Sequence, residues 1–86
     1  MFDWDDGNLD HIVRHGVNSI EAEGALLDPR RIGSSAYNVG TETRWGVLGA
    51  TENGRILVVV FTRRGQLIRV VTARDATVVE RRRYWR

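Results

Sequence analysis

Gly54 to Trp85, GRILVVVFTRRGQLIRVVTARDATVVERRRYW, is the stretch whose reading decides the fold. Two apolar runs, Ile56–Phe61 and Leu67–Val71, stand on either side of the turn-like Arg63-Arg64-Gly65, the pattern of a β-hairpin. Ile56–Phe61 is apolar at every position, so it reads as a central strand covered on at least one side by helices. The following strand, Leu67–Thr72, is interrupted by Arg69, which strict alternation places on one face with Leu67 and Val71. Beyond it Thr77-x-x-Glu80 has the form of a capping box and opens a short helix carrying Val78, Val79, Arg81, Arg82, Arg83 and Tyr84.

Working outward, Thr41–Ala50 holds Trp45, Val47 and Leu48 among small residues and reads as a strand, joined to the next by Glu52-Asn53-Gly54, the strongest turn signal in the chain. Arg30–Gly40, with Gly33, Ser34, Ser35 and Asn38, reads as a polar linker. At the start, Phe2-Asp3-Trp4 alternates apolar and polar, as a short edge strand does. Asp5, Asp6 or Asn8 can cap a helix with the stripe Leu9, Ile12 and Val13, which Gly16 ends after Arg14-His15. Asn18-x-x-Glu21 is another capping box, with Val17 placed to staple against Ala22. Its helix takes Ile20, Leu26 and Leu27 as the buried side and stops at Asp28-Pro29. The expected fold is α+β: an antiparallel sheet of about four strands against an N-terminal helical hairpin, with a short C-terminal helix, in one domain spanning residues 1–86.

Composition narrows the function. Without cysteine, disulfides, thiolate nucleophiles and Cys-based zinc sites are excluded. No apolar stretch approaches the roughly 20 residues of a membrane span, and the acidic start MFDWDDG differs from a basic signal peptide. The expectation is a cytoplasmic protein without a membrane partner. The net charge of +2 conceals a segregation: residues 1–28 carry seven acids against Arg14, and residues 29–86 carry twelve arginines against four acids. A basic half of this kind suits nucleic acid or an acidic protein. Every Lys/Arg position is arginine, which favours bidentate phosphate contacts and removes lysine as a proton carrier.

Arg44, Arg69, Arg74, Glu80 and Tyr84, with Arg14 and His15 arriving from the first helix, form the most informative constellation. Glu80 and Tyr84 are i, i+4 on one helix and can project into the same space. RNA cleavage by its own 2′-hydroxyl needs a base, charge stabilisation of the phosphorane and an acid for the leaving 5′-oxygen. Arginines supply the second; Glu80, Tyr84 or His15 supply the first or third. The plainer reading stays open beside it, in which the arginines form a solvated face, Glu80 caps and Tyr84 packs. Arg81 and Arg82, in a tail that interleaves charge with Tyr84 and Trp85, are candidates for RNA contact. His11 and His15 have the i, i+4 spacing of a two-imidazole metal site, but no third ligand and no H-E-x-x-H form accompany them. No metal and no cofactor are expected.

Taken in order, Phe2-Asp3-Trp4-Asp5, Asn8, Arg14-His15-Gly16-Val17, Glu21-Ala22, Asp28-Pro29, Arg44-Trp45, Gly49, Leu57 to Thr62, Ile68 to Arg74, Ala76-Thr77, Glu80-Arg81 and Tyr84 give a chain that resembles the BrnT toxins of bacterial type II toxin–antitoxin systems, relatives of the RelE-like ribonucleases. The resemblance implies a RelE-like fold and a metal-independent endoribonuclease that inhibits translation by cutting RNA. It implies neutralisation by a BrnA-like antitoxin with a ribbon-helix-helix DNA-binding part, operator DNA being reached only through the complex. The functional residues it implies are Arg14, where the family often has lysine, His15, Arg44, Arg69, Arg74, Glu80 and Tyr84. The competing class is a non-catalytic basic module that holds nucleic acid or an acidic protein.

Overall fold

Each helix begins at a reciprocal capping box, in which a side chain at the cap and one three residues later each satisfy the other's orphan backbone N–H. The computed structural model, which describes residues 1–86, has Asp5 and Asn8 opening α1 (Asp6–Val13), Asn18 and Glu21 opening α2 (Ser19–Leu27), and Thr77 and Glu80 opening α3 (Val78–Tyr84). Gly16, at φ 72°, takes the left-handed conformation that ends the first helical segment.

Between α2 and α3 the chain forms β1 (Ile32–Val39), β2 (Glu42–Ala50), β3 (Ile56–Arg64) and β4 (Leu67–Asp75), an antiparallel meander in the order β1-β2-β3-β4. Three expectations are corrected here. Arg30–Gly40 is not a linker: its greater part is the edge strand β1, whose residues are exposed almost throughout and so carry no apolar signature. Phe2–Trp4 is not a strand of the sheet, since Phe2 makes only one parallel bridge to Ile68. The β3–β4 turn is also tighter than expected, because Arg63 and Arg64 continue β3 and the loop is Gly65-Gln66. Gly65 has positive φ (60°) and Gln66 does not, as a type II′ turn requires.

The helices α1 and α2 lie on one face of the sheet, α1 against β4 and α2 against β2 and β3. Ile12, Val17, Ala22 and Ala25 meet Val47, Leu57, Val59, Val70 and Ala73 in the main core. The approach of α2 is close: a Cβ at Gly49 would overlap the Ala25 carbonyl. Close approach selects small residues, so Ala22, Ala25 and Leu26 are buried while Ile20 and Leu27, expected on the buried side, are 80% and 59% exposed. Val13 is likewise exposed. On the opposite face α3 covers one end of the sheet, with Tyr84 and Ala76 packed on Leu48, Ile56 and Val58. The rest of that face is open. No helix is long and apolar enough to cross a membrane.

Candidate functional site

The open part of the α3 face carries the arginines. Val58 packs beneath α3, so Val60, Thr62 and Arg64 follow on the same face by strand alternation. Arg69 pairs with Thr62 and Arg74 with Val58, which puts both arginines on that face too. Residues five apart on a regular strand point to opposite sides. They share a side here because the register slips between Val60↔Thr72 and Phe61↔Val70, leaving Val71 as the extra residue of a β-bulge.

Beside this face, α1 forms a wall. A cleft of about 330 Å³ is lined by Gly7 and His11 of α1, Glu42 and Arg44 of β2, Thr62 and Arg64 of β3, and Arg69 of β4. His11 Nε2 lies 3.1 Å from Thr72 Oγ1, and the ring of His15 stands 5.4 Å from that of His11, centroid to centroid. His15 and Arg14 are exposed beyond the end of α1 and do not line the cleft. Thus it is the histidine one turn earlier that enters it.

The arginines differ in what already holds them. Arg44 donates from Nε to Glu42 Oε2 at 3.0 Å, a contact that fixes the plane of the guanidinium and raises its proton affinity. Arg69 has a side chain only 15% exposed; its Nη2 donates to Asp5 Oδ1 at 3.1 Å, and its Nη1 lies 2.9 Å from Asp5 Oδ2 and 3.6 Å from Asp3 Oδ2. Arg69 in turn holds the Asp5 carboxyl below the usual aspartate range. Arg64 has no carboxylate partner.

Arg74 and Glu80 are joined across the junction between β4 and α3 by a bidentate pair, Nη1 to Oε1 at 2.7 Å and Nη2 to Oε2 at 3.0 Å. The same Oε1 accepts the Thr77 backbone N–H at 2.8 Å. With the Arg74 guanidinium the largest influence, the Glu80 carboxyl falls to about 2. Such a carboxylate is a poor proton acceptor near neutrality. Tyr84 turns the other way. It is buried, and its hydroxyl donates to Asp28 Oδ2, which raises its pKa. Asp28 Oδ2 also accepts from Ala50 N at 2.8 Å and Oδ1 from Arg30 N at 2.9 Å. Although burial pushes the Asp28 carboxyl up, these bonds outweigh it and the net shift is downward. Glu80 and Tyr84, i and i+4 on one helix, therefore do not meet in one space. Arg81 donates to the Ala76 carbonyl at 3.1 Å, and Arg81 and Arg82 are both exposed.

Sequence reasoning missed three residues that matter here. Arg64 was read as part of the turn, and only the β3–β4 register puts it beside the cleft. Glu42 carried no signal. Arg55, outside the cleft, bonds Asp75 through Nε at 2.7 Å and Nη2 at 3.0 Å, and its Nη1 reaches Glu21 at 3.0 Å and the Gly16 carbonyl at 2.8 Å. It ties α2, the α1–α2 turn and the end of β4 together. No group of three or more potential metal-ligating residues converges anywhere in the fold.

No curated protein matches the chain. The family model described as "Ribonuclease toxin, BrnT, of type II toxin-antitoxin system" matches residues 4–80, a span that holds every helix start, all four strands and each arginine of the cleft. This chain therefore belongs to the BrnT family of ribonuclease toxins of type II toxin–antitoxin systems.

Proposed function

We propose that this protein is a cytoplasmic, metal-independent endoribonuclease whose active surface is the open cleft between α1 and the sheet, and that a cognate BrnA-like antitoxin neutralises it. The observation that carries the reading is the convergence of Arg44, Arg64 and Arg69 with His11 around one cleft. In this mechanism the 2′-hydroxyl oxygen attacks the adjacent phosphorus and the bond from phosphorus to the 5′-oxygen breaks, giving a 2′,3′-cyclic phosphate and a free 5′-hydroxyl. Arg44 and Arg64 hold the non-bridging oxygens and stabilise the charge that grows on the phosphorane. Proton transfer falls to the imidazoles, because histidine both accepts and donates a proton near neutrality; His11 serves inside the cleft and His15 at its mouth. Arg14, exposed at the end of α1, attracts the RNA strand. Arg69 contacts the phosphate through what its bond with Asp5 leaves exposed, and Arg74 contacts a neighbouring phosphate with Glu80 fixing its orientation. Tyr84 acts through the placement of α3, and Arg81 and Arg82 extend the basic surface. The antitoxin's ribbon-helix-helix part would carry the complex to its operator DNA.

Purified protein is expected to cut single-stranded or ribosome-associated RNA in EDTA and to leave 2′,3′-cyclic phosphate ends. Arg44→Ala should slow cutting by about 100-fold, the usual effect of removing one transition-state donor. Cleavage that vanishes on chelation and returns with a divalent ion defeats the metal-free mechanism. One feature favours the alternative, a non-catalytic basic module: Arg44, Arg69 and Arg74 all rest on carboxylates. RNA that is shifted on a gel yet never cut would decide for that module.

A further inference from the structure

Strands of nine residues span about 30 Å, whereas the nine-residue helix α2 is only about 13 Å long. The helices therefore cannot cover the whole of their sheet face, and the end nearest the β3–β4 turn is flanked only by the N-terminal segment, whose Met1 lines the gap. There a mostly apolar groove of about 430 Å³ runs from Leu26 and Leu27 at the end of α2, across Val47 and Phe61, to Leu67 and Ile68. Leu27 is 59% exposed, and Ile68, paired with Arg63, faces the groove from β4. Trp45 stacks on Phe61 at 5.7 Å on the same face, extending the apolar floor.

The groove has basic sides. Arg31 and Arg63 line it, and neither meets a carboxylate: Arg31 donates to the Asp28 carbonyl at 3.1 Å, and Arg63 lies over the Trp45 ring at 6.0 Å. Arg44, Arg55, Arg69 and Arg74, by contrast, all have acidic partners within the chain. An exposed apolar floor flanked by two unpaired guanidiniums fits a segment with apolar anchors and acidic flanks, and a purely polar strand such as RNA would leave the floor unused.

We infer that this groove is the anchoring site of the antitoxin, which would insert an amphipathic, acid-flanked segment between Leu27 and Ile68 with its carboxylates on Arg31 and Arg63. This rests on the toxin–antitoxin reading above. Arg63 and Arg64 are neighbours on β3 and point to opposite faces, one to the groove and one to the cleft. A partner seated in the groove therefore grips the same hairpin that carries Arg64 and Arg69.

The test measures the affinity of the purified cognate antitoxin for wild-type toxin, Leu27→Asp and Arg63→Glu, alongside melting temperature and RNA cleavage without antitoxin. Both variants should bind at least about tenfold more weakly and escape rescue of growth, with cleavage and melting unchanged. Should Leu27→Asp fail to fold, Arg63→Glu, a wholly surface change, carries the test alone. Affinity within twofold of wild type for both variants overturns the proposal. So does a wild-type toxin that is dimeric by light scattering and made monomeric by Leu27→Asp, since the groove would then serve a second copy. If antitoxin binding falls as expected while the wild-type toxin cuts no RNA, the anchoring site stands and only the nuclease reading is lost.

Discussion

Tyr84 shows how far one side chain's role depends on what it reaches. Its hydroxyl is bonded to a carboxylate that two backbone N–H groups also hold, so it latches α3 to the end of α2 and the last residue of β2. Tyr84→Phe removes one hydrogen bond to a charged acceptor and should destabilise the fold by about 2 kcal/mol, measurable as a lower denaturant midpoint. The phenylalanine ring still fills the site against Leu48 and Val58. Cleavage by the folded variant should therefore stay within a few-fold of wild type; a loss as large as that of Arg44→Ala would return Tyr84 to direct chemistry. His11 and His15 make the same point in reverse, because two identical side chains one turn apart differ in which one lines the cleft.

At the scale of the element, the junction between β4 and α3 is held by Glu80, which caps the helix and pairs with Arg74. Its carboxyl is held at about 2, below the ordinary value of 4.5. A depressed folded-state pKa adds stability that is fully present above the unfolded value and is lost as pH falls toward the folded one. The melting temperature of wild type should therefore exceed that of Glu80→Gln by a constant margin above pH 5 or so, and the margin should close between pH 4.5 and about 2. A margin that persists unchanged at the acid end would mean that the ionisation of Glu80, and so its pair with Arg74, contributes nothing to stability. The bulge at Val71 is the other element-scale device. By inserting one unpaired residue it brings Arg69 and Arg74 to one face, and a one-residue deletion there would turn one of them into the main core.

For the whole molecule, charge sets the interaction. The acidic N-terminal segment spends Asp3 and Asp5 on Arg69, and Glu21 joins Asp75 on Arg55, so part of the apparent basic excess is already neutralised internally. In the proposed mechanism Arg44, Arg64 and Arg74, with a share from Arg69, give roughly four phosphate contacts, for which the affinity for single-stranded RNA should fall with a log–log salt slope of about −3. A slope near −6 would mean that the exposed tail around Arg82 and Arg83 binds RNA as strongly as the cleft does. Binding measured between low and moderate salt decides this.

What the sequence determined by itself is what depends on near neighbours. The capping boxes at Asn18 and Thr77, the cap of the first helix within Asp5–Asn8, the Gly16 helix end, the turn before Gly54 and the two apolar runs of the hairpin all rest on side chains or backbone within a few residues of each other, and the structure has each of them. With the charge segregation and the ordered residues of the family resemblance, they were enough for the α+β class and the toxin family. The tertiary structure alone decided the rest. An exposed edge strand such as β1 is held by pairing on one side and has no apolar code to read. The slip in β4, the choice of His11 over His15 for the cleft, the Arg55 hub and the turning of Tyr84 toward Asp28 each follow from which distant residue arrives opposite. That pairing is set by packing and strand register, over separations that run from 9 residues at the slip to 61 between His11 and Thr72, and no local pattern encodes it.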